Sequence, residues 1–209
     1  MNVGRHGAAR RPGADELRAP SRAGRFVRLA PVGRQHTDFL YALAVDDVTG
    51  FRWRFNGSVP RPDVFVESLW SGVLCQFVVE EIRHGVPRGT AVAYNADLNH
   101  GYCYVGVAMT AEAQETGLAV EAFLLLARHL FASYRLRKLY MEVPEYNLRP
   151  IERAIGPVLV EEGRLRDHTY YGERLWDRLY LAVYPERLEP LCRRLLRPPA
   201  GPPEAATSG

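Results

Sequence analysis

The sequence predicts a mixed α/β (α+β) fold in which a mostly antiparallel sheet is flanked by helices on both faces. Some segments repeat apolar residues at helical spacing, others are short β-type runs bounded by Gly, Pro, Asn or Asp, and the two kinds are interleaved along the chain. Hydrophobic residues make up 47% and charged residues 24% of the 209 residues. This composition is typical of a globular domain with one core.

The first half of the domain is predicted to contain one strand followed by two helices. Residues 25–32 form a short strand pattern, and residues 35–45 place their apolar side chains on one side of a helix. Asp63 is typical of a helix N-cap and predicts a second helix that reaches Leu74.

Three strand-like segments bounded by turn residues follow and predict an antiparallel meander: residues 75–82, 89–96 and 102–109. A long helix, a strand, a short helix and a final strand pair complete the order: residues 118–134, 138–143, 148–155, 158–165 and 178–184. The segment between the last two strands, residues 167–173, is predicted as a loop.

The two ends of the chain differ from the rest in composition. Residues 1–24 and 197–209 are rich in Pro, Gly and Ala, so we expect a disordered basic leader, one domain over residues 25–196 with a C-terminal helix, and a disordered tail. The leader has five arginines against two acidic residues and so accounts for the whole net charge of +3. Nucleic acid is therefore an unlikely partner of the domain, although an RNA- or DNA-binding leader stays an alternative.

Several classes of protein are disfavoured by what the sequence lacks. It has no apolar run of the roughly 18 residues that a membrane span needs, so no membrane partner is expected. Its three cysteines are far apart and its six histidines do not cluster. We therefore expect reduced thiols, no metal site and a cytoplasmic location.

The segment before the long helix has the chemistry of an anion site. Residues 114–119 read Gln-Glu-Thr-Gly-Leu-Ala and lie between a predicted strand and a predicted helix. The first amides of a helix lack intrahelical acceptors, and Gly117 and Ala119 allow an anion to approach the backbone. The segment therefore predicts binding of a phosphate group.

This hexapeptide resembles Gln/Arg-x-x-Gly-x-Gly/Ala, the acyl-CoA pyrophosphate loop of the GNAT superfamily of N-acetyltransferases. Three further landmarks occur in the order found in that family. Asn147 follows a strand where many members have an asparagine that contacts CoA, and Glu162-Gly163 follows the last predicted helix. Glu121-Ala122 is similar to the branch that includes the ribosomal-protein N-terminal acetyltransferases.

The resemblance implies acetyl-CoA as co-substrate and a set of residues that bind it. Val107 and Met109 would pair with the pantetheine arm, and Asn147 would contact CoA. The pyrophosphate would be held by Gln114, Glu115, Thr116, Gly117, Leu118 and Ala119. No metal is implied.

The catalytic groups depart from the family pattern, because Ala154 stands where many members have a tyrosine that protonates the leaving thiolate. Tyr170 and Tyr171 are the candidates for this acid, unless they serve packing or lie on the surface. Glu142 is the first candidate for the general base and His168 the second. Histidine has the more suitable ordinary pKa, near 6.5, whereas that of glutamate is near 4.3.

The region that resembles the acceptor-binding loop of the family contains Arg52, Trp53 and Arg54. These residues would bind an acidic or aromatic acceptor more readily than a polycationic one. Alternatively, aromatic residues that alternate with arginines anchor the loop on the core.

The sequence therefore predicts an acyl-CoA-dependent N-acyltransferase that acetylates a primary amine of a small molecule or a protein N-terminus. Direct attack would occur in a ternary complex, in a monomer or a homodimer. The alternative is a non-catalytic acyl-CoA-binding module that has lost the usual general acid.

Overall fold

The computed structural model describes residues 21–47, 50 and 55–196 of the chain. Seven strands and four α-helices lie in these ranges, in the following order: β1 (Val27–Pro31), α1 (Thr37–Val45), α2 (Pro62–Ser68), β2 (Val73–Glu81), β3 (Val86–Asp97), β4 (Tyr102–Met109), α3 (Leu118–Ser133), β5 (Lys138–Pro144), β6 (Leu159–Tyr171), β7 (Arg174–Val183) and α4 (Pro185–Leu195). The predicted mixed fold is confirmed.

The strands form one sheet in the order β1-β2-β3-β4-β5-β7-β6. Strands β2, β3 and β4 are the predicted antiparallel meander, and β1 pairs antiparallel with β2 at its edge. In the described sheet, β4 and β5 alone run parallel, because the α3 crossover joins them. This parallel pair lies in the middle of the sheet.

Helices cover both faces because side chains alternate along each strand. Phe77 and Val79 of β2 belong to a large apolar cluster that contains the buried leucines of α3. Val78, between them, faces the opposite way and packs with Leu40 of α1 and Phe65 of α2. The core therefore has two layers, one on each side of the sheet.

Glu121, in the first turn of α3, ties this helix to the beginning of β1. Its carboxylate is buried and accepts hydrogen bonds from the amide of Phe26 at 3.0 Å and of Val27 at 3.1 Å. The amide of Arg25 donates a third, short hydrogen bond. Gly24 lies beside it, and a Cβ there would lie 2.2 Å from Oε1 of Glu121, so a larger residue would displace the carboxylate.

The predicted short helix over residues 148–155 is wrong. One 3₁₀ turn, Glu152–Ala154, lies within this region, and another, Glu145–Asn147, precedes it. Pro150 explains the interruption, since it has no amide hydrogen and disfavours the α conformation of the residue before it.

The predicted loop between the last two strands is also wrong, because β6 continues to Tyr171 and β7 begins at Arg174. Gly172 and Glu173 form the connection, with φ of 58° and 63°. Two consecutive residues with positive φ are typical of a two-residue hairpin turn. Tyr170 and Tyr171 are therefore strand residues.

The predicted boundaries of α2 need correction as well. The N-cap is Arg61 rather than Asp63, and the helix ends at Ser68 instead of Leu74. Pro62 occupies the first helical position, where its missing amide hydrogen has no cost. Asp63 instead pairs with Arg61 at 2.5 Å.

The predicted leader and tail lie mainly outside the described residues, as residues 1–20 and 197–209 do. Ser21 to Gly24, which the sequence assigns to the leader, hydrogen-bond with the domain. The carbonyl of Arg22 accepts from the amide of Leu29 at 2.8 Å, and the Arg128 guanidinium donates to the carbonyl of Ser21 at 2.5 Å.

Candidate active site

The parallel strands β4 and β5 pair over only part of their length. Their register consists of Tyr102 with Lys138, Cys103 with Leu139, and Tyr104 with Tyr140. Beyond the last pair, β4 continues to Met109 and β5 to Pro144. The two strands therefore open toward their C-terminal ends, and we call this gap the β4–β5 opening.

Val107 and Met109 lie on the β4 side of the β4–β5 opening. They pair with Ala91 and Gly89 of β3, so the other edge of their backbone faces the opening. The Met109 side chain is buried over Gly89, where a Cβ would lie 2.7 Å from the sulfur. An extended ligand in the opening would have backbone groups of β4 available for pairing.

The start of α3 follows the end of β4 after a short 3₁₀ turn, Ala111–Ala113. Residues 114–117 are exposed, and Gly117 is the N-cap of α3, with φ of 84°. A Cβ at Gly117 would meet no atom of the described chain within 4 Å. Backbone in this conformation favours glycine, and the space around it is open to a ligand.

At the start of α3, the amides of Leu118, Val120 and Glu121 have acceptors within the described chain. The amides of Val120 and Glu121 donate to the carbonyl of Gly117, at 3.1 and 3.3 Å. Thr116 donates its hydroxyl to the carbonyl of Ala113 at 2.7 Å, and the amide of Leu118 lies 3.4 Å from that hydroxyl. An anion before this turn would meet backbone donors and the positive end of the helix dipole.

On the other side of the opening, β5 ends at a 3₁₀ turn that contains Asn147. Asn147 is half-buried. The structure therefore places the predicted CoA-binding residues around one end of the β4–β5 opening, on β4, on the loop before α3 and after β5.

The sheet face opposite α3 is rich in tyrosine between β3 and β7, and we call it the tyrosine face. The side chain of Tyr104 contacts those of its neighbours, with ring centroids 5.8 Å from Tyr94 and 5.4 Å from Tyr140. Six residues form this face: Tyr94, Tyr102, Tyr104, Tyr140, Tyr180 and Tyr184. A cavity of about 320 Å³ is lined by four of them, with Glu162 and Gly163 of β6.

Glu162 organises one side of this cavity. Its carboxylate accepts hydrogen bonds from Lys138 Nζ and Tyr140 Oη, both at 2.6 Å, and from the Tyr184 hydroxyl. Desolvation alone would raise the pKa of Glu162, but these three donors together lower it to about 2. The carboxylate is therefore charged and fully paired at neutral pH.

Glu142 lies on the tyrosine face, two residues beyond the last β4–β5 pair. It is opposite Tyr180 of β7, and its Oε2 is 3.9 Å from Nη1 of Arg178. Desolvation and then the charge of Glu142 raise the pKa of Tyr180 and Tyr104, and raise that of Tyr94 to about 12. A carboxylate thus lies among tyrosine hydroxyls that stay protonated at neutral pH.

The other predicted catalytic residues lie further along the β6–β7 hairpin. His168 is exposed and Tyr170 is 68% exposed. Tyr171 packs against Tyr146, with ring centroids 4.5 Å apart, and its carbonyl accepts from Trp176. Among the described residues, no hydrogen bond, ion pair or ring contact joins His168 or Tyr170 to Glu142.

The predicted substrate-binding residues Arg52, Trp53 and Arg54 lie outside the described residues. Phe55, which follows them, packs against Phe65 with ring centroids 6.1 Å apart. This contact agrees with the packing alternative for that one aromatic residue.

The tyrosine face was missed from the sequence, although a signal is present. Tyr102 and Tyr104 alternate along one strand, and Tyr140 and Tyr180 occupy the middle of two others. Period-two spacing puts the first two on the same face. Pairing between distant strands then decides that all four residues line one cavity.

Neither a metal site nor a membrane span is found in the part of the chain that the structure describes. No group of three or more His, Cys, Asp or Glu side chains there is arranged to hold a metal ion. No helix within the described ranges has the length and apolar character to cross a bilayer. All three cysteines are free thiols.

The fold is similar to that of solved N-acetyltransferases. One similar structure is the spermidine N-acetyltransferase of Vibrio cholerae in complex with CoA and spermine: the TM-score is 0.68 at 18% identity, over 78% of this chain and 98% of that one. Another is an acetyltransferase of the GNAT family from Bacillus anthracis, with a TM-score of 0.63 at 16% identity, over 78% of this chain and 98% of that one.

No protein-family model and no curated protein matches the sequence. At the identities of the similar structures, the likeness establishes the fold alone. Activity has to be inferred from the residues of this chain.

Proposed function

We propose that this protein is an N-acetyltransferase that transfers the acetyl group of acetyl-CoA to a primary amine of a small molecule, by direct attack in a ternary complex. The observation that carries the proposal is the β4–β5 opening. It has exposed helix-start amides at one end and a tyrosine-lined cavity with a carboxylate beside it at the other. A donor and an acceptor can therefore meet there from opposite sides.

The residues around the opening fit the parts of acetyl-CoA. Gly117 leaves room for a diphosphate before the first turn of α3, and Val107 and Met109 offer backbone to the pantetheine arm. Asn147 would contact the same arm from the β5 side. Bound in this way, acetyl-CoA supplies an acetyl group activated as a thioester at the closed end of the opening, where Tyr104 pairs with Tyr140.

Glu142 is the general base that we favour. Its carboxylate lies at the closed end of the opening, whereas His168 is exposed on the β6–β7 hairpin. As the amine nitrogen bonds to the acetyl carbon and the C–S bond breaks, Glu142 accepts the proton that the nitrogen loses.

The leaving sulfur needs a proton, and Ala154 supplies none. Tyr104 is the donor that we favour, because it occupies the last paired position before the opening begins. Tyr170 and Tyr171 are less suitable, since the first points into solvent and the second packs against Tyr146.

The proposal is tested by incubating the full chain with acetyl-CoA and a panel of primary amines, and by measuring thiol release and the acetylated product. We expect Glu142→Gln to lower kcat by about 10²-fold or more, with unchanged affinity for CoA. Glu145→Gln, a neighbouring exposed carboxylate, is the control and should keep full activity. Equal rates for the two variants would exclude Glu142 as the base.

The second candidate function is a non-catalytic acyl-CoA-binding module. Ala154 in its 3₁₀ turn favours it, because no tyrosine is available at that position. Tight binding of CoA with no amine-dependent thiol release from any member of the panel would establish this candidate instead.

A further inference from the structure

We infer that the acceptor is a small monoamine with an aromatic body, and that polyamines are poor acceptors. This inference rests on the proposed function and concerns the cavity of the tyrosine face. Three properties of this cavity support it: the aromatic wall, the balance of charges and the size.

The wall of the cavity is a rigid set of aromatic rings. Tyr102 meets Tyr104 and Tyr140 edge to face, with centroids 6.3 and 5.6 Å apart, and Tyr104 stacks on Tyr140 at 5.4 Å. Because each ring contacts the other two, none has to be ordered when a ligand binds. An aromatic ligand gains stacking or edge contacts on such a wall that an aliphatic chain of equal length does not.

The charges of the cavity are already balanced by the protein. Lys138 Nζ is 2.6 Å from Glu162 and 4.6 Å from the centroid of the Tyr140 ring, so it occupies the position that a ligand cation would take on that ring. Arg178 lies 3.9 Å from Glu142. A polyamine would bring further positive charges beside Lys138 and Arg178 and would find no unpaired carboxylate for them.

The size and the position of the cavity set the length of the acceptor. A volume of about 320 Å³ is at the small end of the range for small-molecule sites. Glu142 is two residues along β5 from Tyr140 on the same face, roughly 6.6 Å further on. A ring on the tyrosine wall thus needs a linker of about two or three bonds to bring its amine within hydrogen-bond reach of Glu142.

The inference is tested by calorimetry in the presence of CoA with 2-phenylethylamine, hexylamine and spermidine. The first two are monocations of similar length, so the comparison isolates the ring, and spermidine isolates the charge. We expect 2-phenylethylamine to bind at least tenfold more tightly than either of the others. Equal or tighter binding of hexylamine or spermidine would overturn the inference.

Two variants separate the contributions of the wall and the charge. Tyr102→Leu should weaken 2-phenylethylamine about tenfold and leave hexylamine within threefold, whereas Tyr134→Leu, at the end of α3, should change neither. Lys138→Met should strengthen spermidine at least fivefold. Equal losses of affinity for 2-phenylethylamine and hexylamine in Tyr102→Leu would contradict the role of the aromatic wall. Unchanged affinity for spermidine in Lys138→Met would contradict the role of the charges.

Calorimetry measures amine binding whether or not the amine is acetylated, so it tests the ligand class of the cavity independently of the reaction. Selective binding of 2-phenylethylamine without acetylation of any amine would leave the ligand class in place and count against the proposed function. Acetylation of spermidine at the highest rate in the panel would support the proposed function and overturn the inference about the acceptor.

Discussion

The α3 face of the sheet and the tyrosine face, which is the part of the opposite face from β3 to β7, are built from different kinds of contact. On the α3 face, Leu124, Leu125 and Leu126 pack with strand residues in a closed aliphatic core. On the tyrosine face, rings, hydroxyls and ion pairs meet around a cavity. The α3 face therefore contributes apolar burial that stabilises the fold, whereas the tyrosine face keeps polar groups around a cavity.

The largest expected effect is on stability and comes from the α3 face. Leu125 is fully buried, so Leu125→Ala should lower the free energy of unfolding by about 2–5 kcal/mol, through lost apolar contact and a residual cavity. Tyr102→Phe, on the tyrosine face, is the comparison and should cost less than about 1 kcal/mol. Urea unfolding measures both, and equal losses would contradict the division between the faces.

The link between α3 and β1 gives the next effect. In Glu121→Gln, an NH₂ group replaces one of the two oxygens that accept amides of residues 25–27. We expect a loss of about 1.5–3 kcal/mol, the range for hydrogen bonds to charged groups. Glu186→Gln, in the exposed first turn of α4, is the matched control. An equal response of the two variants would mean that the Glu121 hydrogen bonds add no net stability.

A smaller effect concerns ligand binding at the start of α3. Gly117→Val places a branched side chain in the open space before the helix and should weaken CoA at least tenfold, which corresponds to about 1.4 kcal/mol. Gly156→Val controls for backbone strain, because Gly156 also has positive φ and open space but lies near the start of β6. Calorimetry with CoA compares them, and unchanged affinity in Gly117→Val would remove the proposed phosphate site.

The smallest effect is a pH dependence on the tyrosine face. The pKa of Glu162 falls from its ordinary 4.5 to about 2 in the folded chain. Its contribution to stability is therefore fully present above about pH 4.5 and is lost as the pH falls toward 2. In Glu162→Gln, the loss of unfolding free energy between pH 6 and 2 should be smaller by less than about 1 kcal/mol, because the carboxylate is partly exposed to solvent. Unfolding between pH 2 and 6 measures the slope, and Glu152→Gln should leave it unchanged.

Much of the fold could be predicted because its elements are marked locally. The strand that ends at Met109, the glycine at the helix start and the long apolar run of α3 occur within one continuous segment. The end of the chain was harder to predict. A single 3₁₀ turn follows Pro150 where a helix was expected. Glu173, a residue that seldom adopts positive φ, helps to close a tight hairpin where a loop was expected.

The candidate site was predictable only in part. The loop at 114–119 and Glu142 could be named from the residues themselves, and their roles remain predictions. The tyrosines could not be grouped, because Tyr94, Tyr104, Tyr140 and Tyr180 lie on four strands. The network of Glu162 with Lys138 likewise joins residues that are 24 positions apart.

The sequence by itself determined most of the order of the strands and helices and the bare backbone at Gly117, because φ preferences and hydrophobic periodicity act over a few neighbouring residues. Only the tertiary structure decided where β4 and β5 separate and that tyrosines from three strands, β4, β5 and β7, line one cavity. The reason is that strand register depends on the packing of side chains distant along the chain, and no local pattern encodes which of them will meet.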